Sequence, residues 1–515
     1  MPIAIPNPGI ISRPLSAPLV EVAPAAMDFT RQAVISSFDL QPSAQLWVNE
    51  AFASDTGQFA TFTEGTSASF AISGGYGVLS ASASAARDIY AYTGSAIGIP
   101  NFFISVDVVS RSGSGGTYDN LGVGIGKDSN NFLICQYDRN ATSFRAQGKF
   151  AGTNYFRLFT TVTLTPPFSM ALSMHGTNYA IWYNTGSGWV RTGDESLSWW
   201  GRDTRTQDWT GWKPLVGLAT NGNNTWNLDN LKAGRFGALK MRDFSPITDE
   251  AGRVVDFSGK VRLLATASGP YLGQSFATVV EFDPNTLTLS QIGTLAVARD
   301  SGIWNDHAGH IVKLDNGNYR VLLSTWGNGF GGTLQVRSVE TSTNITTGSH
   351  NITGTSQLSL PNIPVSPGTG GAYDPYAVKF GGTWYVAYSV VNPTSFSGEN
   401  FYCALATTSD FSSFTGVGAD TSQKINEGPR LVPTNSDLWV VTGGRGEQII
   451  YDETLTQVAS ALDVDVALYN GTNTQPWPAM FSFGNTVYMV TFDGTQFNGT
   501  GTAGNVWIYT APRYV

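Results

Sequence analysis

The chain has 515 residues, more than one hydrophobic core organises, so two or three domains are expected. Charged residues make up only 13% while glycines number 58, and short polar side chains that compete for backbone hydrogen bonds favour strands and turns over helices. A net charge of -9 without a basic cluster excludes a phosphate-tracking nucleic-acid protein, no run of about 18 apolar residues offers a membrane helix, and two cysteines, Cys135 and Cys403, make no disulfide framework.

Residues 1–45 carry prolines at 2, 6, 8, 14, 18, 24 and 42, which break both helix and central strand. They read as an extended arm, either a disordered leader or a segment that docks on a neighbouring subunit. The apolar Ile10, Ile11, Leu19, Val20 and Phe29 favour docking. No basic stretch followed by seven or more apolar residues is present near Met1, so no secretory signal is read.

From 46 to 238, short runs alternate apolar and polar residues between Gly, Asn and Ser: Phe102–Val109, Leu121–Ile125, Asn131–Tyr137 and Phe168–Met174. Ala180–Asn184, a Gly186-Ser-Gly188 turn and Trp189–Arg191 form a hairpin. The expectation is an antiparallel β-sandwich, of jelly-roll type. The order of Phe102–Val109, Leu121-Gly-Val-Gly-Ile125 and the closing Trp226–Gly234 resembles the concanavalin A-like lectin and glucanase sandwiches, which implies binding or spacing more than catalysis. Four tryptophans fall within 199–212, either a platform for glycan or protein or a lid packed on the next domain.

From 239 to 515 a pattern repeats, with a short apolar strand, a tight turn and an aromatic-bearing strand in His310–Ser324, Tyr376–Ser389, Arg430–Thr442 and Ala479–Thr491. Tyr319, Trp384, Trp439 and Tyr488 mark intervals of 65, 55 and 49 residues. With a further block at 259–282 this gives a five-bladed β-propeller. The whole chain is thus expected to be all-β: arm, sandwich, propeller.

In a propeller, residues just before the innermost strands converge on one mouth of the channel. Trp304-Asn305-Asp306-His307, Tyr373-Asp374-Pro375 and Glu427-Gly428-Pro429 stand at such places, and three carboxylates at one mouth suit glycoside hydrolysis by an acid and a nucleophile or base. These motifs resemble the five-bladed furanosidase superfamily, which includes glycoside hydrolase family 43 and the invertase-like fructosidases. The resemblance implies Asp306 as nucleophile or base, Asp374 as transition-state stabiliser or pKa modulator, and Glu427 as general acid. His307 stands where that family has Pro, and Tyr373 where it has Arg. Aligning Val312 on Val378 sets Asp374 opposite Ala308, with Asp306 two residues earlier.

Each residue also has a plain structural reading. Asp before Pro starts turns, and His307 with His310 has no zinc spacing, so hydrogen-bonding histidines are favoured and no metal ligands are assigned. No cofactor is expected, with a structural calcium left open. Trp304, His307, Tyr373 and Trp477 are the candidate substrate-binding residues, since aromatic faces stack on sugars. The leading expectation is a phage-like virion surface protein, a tail fibre or spike for receptor binding, recognising host polysaccharide and attached through its arm to other virion proteins as a homo-oligomer. Hydrolysis by the propeller is left open. The alternatives are a free-standing furanosidase-like hydrolase with a lectin-like accessory domain, and a structural virion protein with an inactive propeller.

Overall fold

The computed structural model describes residues 23–35, 46–61, 68–82, 86–94, 101–114, 116–197, 203–235, 237–238, 240–268, 275–327, 334–361, 371–391, 401–422, 426–444, 447–460, 462, 464–466, 476–493 and 504–513. They form strands almost throughout, in two packed sheets followed by five blade sheets.

The first part is an antiparallel β-sandwich of one seven-stranded and one eight-stranded sheet. Side chains alternate across each strand, so Ile104, Val106 and Val108 face Leu121, Val123 and Ile125 in a buried core that also holds Met170, Leu172 and Trp226. The expected hairpin is present: Asn178–Asn184 pairs with Trp189–Ser196, and Asn184 Oδ1 accepts the N–H groups of Gly186 and Gly188 at 2.8 and 3.1 Å. The opposite parity of the eight-stranded sheet does a second job. Phe103, Ala171, Ala180 and Trp182 share a buried cluster with Met241, Phe244, Trp477 and Ala479 of the propeller. Each such large side chain contributes about 1.5–3 kcal/mol on full burial, which seats the sandwich on the propeller.

Five antiparallel sheets form the blades, and their innermost strands are Lys240–Pro246, His307–Lys313, Gly371–Phe380, Glu427–Pro433 and Ala479–Phe483. Each inner strand touches the next and the fifth touches the first, so the ring closes. Tyr319, Trp384, Trp439 and Tyr488 all lie on second strands, as the repeat requires. Blade 1 begins earlier than the block at 259–282 suggests, because Lys240–Pro246 is its inner strand.

The arm departs from expectation. Thr30–Ile35 is the outermost strand of blade 5, antiparallel to Val506–Pro512 in the same chain. Met27 and Phe29 are buried with Val441, Met480 and Tyr509, and Arg31 pairs with Asp465 at 2.7 Å. The apolar tendency read from Phe29 is thus satisfied within the chain rather than on a neighbour. Residues 1–22, including Ile10, Ile11, Leu19 and Val20, lie outside the described residues.

Candidate active site

Four inner strands share one backbone device at the same end. In blades 1, 3 and 4 the ladder slips by a bulge between Arg242 and Ser245, Tyr373 and Tyr376, and Glu427 and Arg430; in blade 2 it slips between His307 and Gly309. The residue after the first of each pair is left-handed: Asp243 at φ 55°, Ala308 at 54°, Asp374 at 52° and Gly428 at 61°. That conformation costs an L-residue about 1–2 kcal/mol, and Asp tolerates it better than most.

Hydroxyls of the preceding blade hold the bulges in place. Thr266 Oγ1 accepts the Ala308 N–H at 3.2 Å, Ser324 Oγ accepts that of Asp374 at 2.8 Å, and Ser389 Oγ accepts that of Gly428 at 3.0 Å. These hydroxyl residues occupy equivalent places on three successive second strands, each paired with the first bulge residue of its own blade. In blade 4 a glycine is demanded twice over, because φ is positive and a Cβ there would lie 2.2 Å from Cγ of Trp477.

The register therefore sends two residues per blade to the mouth: Arg242 and Asp243, His307 and Ala308, Tyr373 and Asp374, Glu427 and Gly428. The carboxylates that meet are Asp243, Asp374 and Glu427. Burial, together with the nearby Asp243 charge, pushes Glu427 up to about 7, against the hydrogen bond from Tyr373 and the charge of Arg242. Burial first, then the charges of Asp243 and Glu427, holds Asp374 well above the usual carboxylate range, opposed by Arg430 and Arg242. Tyr373 Oη donates to Glu427 Oε1 at 2.7 Å. Asp243 Oδ1 is buried without a hydrogen bond, and Arg242 Nε lies 3.4 Å from its Oδ2. The Asp374 carboxylate accepts no hydrogen bond from the described residues. Arg430, 2% exposed, ties blade 4 to blade 1 by donating to the Phe244 carbonyl at 3.0 Å.

Asp306 does not join this group. Its side chain turns sideways to blade 1, where Arg299 grips both oxygens at 2.6 and 2.7 Å and the Gly327 N–H adds a bond at 3.2 Å. It is a buried ion pair, and Asp243, absent from the sequence reading, holds the third carboxylate position. Trp304 is engaged by the scaffold instead: the guanidiniums of Arg205 and Arg299 lie over its ring, 4.4 and 4.5 Å from the centroid, and its Nε1–H donates to the Arg299 carbonyl at 2.9 Å.

His307 stands at the first bulge position of blade 2, equivalent to Arg242 and Tyr373. Its Nδ1–H donates to the Asn305 carbonyl at 2.8 Å and burial lowers its pKa to about 3, so the ring is neutral. Tyr373 is buried between Trp326 and Phe401 and binds Glu427, so it serves the acid rather than offering an open stacking face. Trp477 is 4% exposed, packed on Gly428 and Phe492, and forms the wall beside Glu427. His310 is an interblade pin: its Nδ1 accepts the Ala377 N–H at 3.2 Å, its Nε2 donates to the Pro246 carbonyl at 3.1 Å, and its ring stacks on Tyr376 at 3.8 Å. With both nitrogens committed it has none left for a metal, and among the described residues no three His, Cys, Asp or Glu side chains converge as ligands.

The described part of the 199–212 loop reaches this end of the propeller. Arg205 donates to the Gly327 carbonyl at 2.7 Å and its own carbonyl accepts the Ile303 N–H at 2.9 Å, while Trp209 and Trp212 are buried in the sandwich. Trp199 and Trp200 lie outside the described residues.

No family model matches this chain, and no curated protein matches it. Among solved structures it is similar to a levansucrase of Bacillus subtilis, at 11% identity over 52% of this chain and 83% of that one, with a TM-score of 0.39. An inulosucrase from Halalkalicoccus jeotgali bound to kestose gives 10% identity over 50% and 76%, with a TM-score of 0.37. A mutant levansucrase of B. megaterium gives 10% over 51% and 80%, also with a TM-score of 0.37.

Proposed function

We propose that the propeller is a glycoside-cleaving enzyme in which Glu427 is the general acid, Asp243 the attacking carboxylate or the base for water, and Asp374 a partner for sugar hydroxyls. The observation that carries this reading is the convergence of three carboxylates from three blades, with Glu427 raised to about 7 while Asp243 keeps Arg242 beside it. A buried carboxyl raised toward neutrality suits the acid, and a neighbouring carboxylate beside a guanidinium suits the attacking group. In the step proposed, the Glu427 proton passes to the glycosidic oxygen, which keeps the electron pair of the breaking C–O bond. The anomeric carbon then takes an electron pair from Asp243, or from water that gives its proton to Asp243.

The test is sugar release from furanoside polymers and from bacterial surface polysaccharides, furanosides first because of the Glu427-Gly428-Pro429 resemblance. Release by the wild type should fall at least about a hundredfold in Glu427→Gln, the scale of a lost general acid, and should decline as pH rises through about 7. The configuration of the released sugar, followed by NMR, distinguishes direct attack from attack through water. Equal release by both proteins would overturn the assignment, and binding without release would leave a recognition module.

A further inference from the structure

Burial, the electrostatics of the mouth and one hydrogen bond compete at Glu427. The groups around it are Arg242 and Asp243 from blade 1, Tyr373 and Asp374 from blade 3, Arg430 on its own strand, and the uncharged indole of Trp477 from blade 5, with neutral His307 of blade 2 facing Arg242. Of these only Tyr373 makes a hydrogen bond to it, at 2.7 Å on Oε1, while Oε2 accepts none from the described residues. The bulge pairs Tyr373 with Ser389, whose hydroxyl holds the Gly428 N–H. The Tyr373 ring is fixed edge-on to Trp326 and Phe401, at 5.3 and 6.3 Å. The phenol is thus held in one orientation, with Glu427 Oε1 accepting its hydrogen bond at 2.7 Å and the Ser389 hydroxyl as a second hydrogen-bonding neighbour.

We propose that Tyr373 is the positioning residue of the site: by donating to Oε1 it places the transferable proton of Glu427 on Oε2 and sets the pH at which that proton is lost. This rests on the reading of Glu427 as the acid. A hydrogen bond donated to a carboxylate stabilises the charged form, so it opposes the effect of burial. The phenol cannot replace the acid, because burial and the Glu427 and Asp374 charges hold its own pKa well above the ordinary tyrosine value.

Tyr373→Phe keeps the ring contacts and removes the phenol oxygen, and with it the bond to Glu427 and the hydrogen-bond contact to the Ser389 hydroxyl. Loss of the donor raises the Glu427 pKa, so the alkaline limb of kcat/KM should move up by about one pH unit while the rate at the optimum falls about tenfold. Incorporating 2,3-difluorotyrosine at 373, a stronger donor of nearly the same shape, should move the limb the other way. The titration of Glu427 is read independently of activity by 13C NMR of carboxyl-labelled glutamate, with the signal identified by its loss in Glu427→Gln. A limb and titration unchanged in both variants, with only the melting temperature altered, would make Tyr373 merely structural and overturn the proposal. If Glu427→Gln retains full activity, the acid assignment fails, whereas the NMR titration still reports whether Tyr373 controls that carboxyl.

Discussion

Asp306 and Asp374 are both buried aspartates at the start of inner strands, 0% and 3% exposed, and they have opposite surroundings. Asp306 precedes the bulge of blade 2 and is neutralised by two guanidinium hydrogen bonds from Arg299. Asp374 sits within the bulge of blade 3, at φ 52°, with Glu427 and Asp243 as like-charged neighbours. Register makes the difference, and with it the chemistry. A side chain before the bulge is available to the adjacent blade's scaffold, whereas one inside it is delivered to the mouth. The same rule promotes Asp243, whose place in blade 1 matches that of Asp374.

Paired substitutions separate the two kinds of carboxylate. Asp243→Asn removes the attacking group or base, so activity should fall about a thousandfold or more while the melting temperature stays near that of the wild type. Asp306→Asn takes the buried counter-charge from Arg299 and leaves it only the exposed Asp300 at 2.7 Å, so it should cost about 3 kcal/mol in denaturant unfolding, with turnover per folded molecule largely kept. Should Asp306→Asn abolish turnover in protein that remains folded, the comparison breaks and Asp306 returns as a catalytic residue.

The propeller is legible in the sequence because its hairpins are local. In blades 2 to 5 the first two strands are joined by short turns, as from Phe380 to Thr383 and from Phe483 to Thr486, so the aromatic marks recur visibly. Blade 1 hides its inner strand, because the chain runs from Pro246 through Thr248–Asp249, which pairs with blade 2, before Val261–Ser268 returns. That detour conceals Asp243, although Arg242-Asp243 mirrors Tyr373-Asp374. Asp306 misleads because its neighbour His307 holds the first bulge position, and spacing cannot tell which of two adjacent residues a bulge turns inward. The alignment of Val312 on Val378, which sets Asp374 opposite Ala308, matches the observed left-handed pair. Thr30–Ile35 is illegible for a different reason: its partner lies over 470 residues away, and no local pattern encodes that pairing.

The smallest effects test the bulge itself. Gly428→Ala should destabilise by about 2–4 kcal/mol, since the new methyl meets Trp477 and the backbone stays left-handed. Ala308→Gly makes the reverse change at the equivalent place in blade 2. Relief of left-handed strain gains about 1–2 kcal/mol and the added freedom of glycine in the unfolded chain costs about 0.5–1 kcal/mol, so a net stabilisation of about 0.5 kcal/mol is expected in denaturant unfolding. Clear destabilisation by Ala308→Gly would mean that packing of its buried methyl, rather than the hydroxyl of Thr266 on its N–H, holds the blade 2 bulge. The shared device would then be an outcome of local packing in each blade. Stabilisation would instead assign the bulge to the interblade hydroxyl, the arrangement that also holds Asp374 and Gly428 at the mouth.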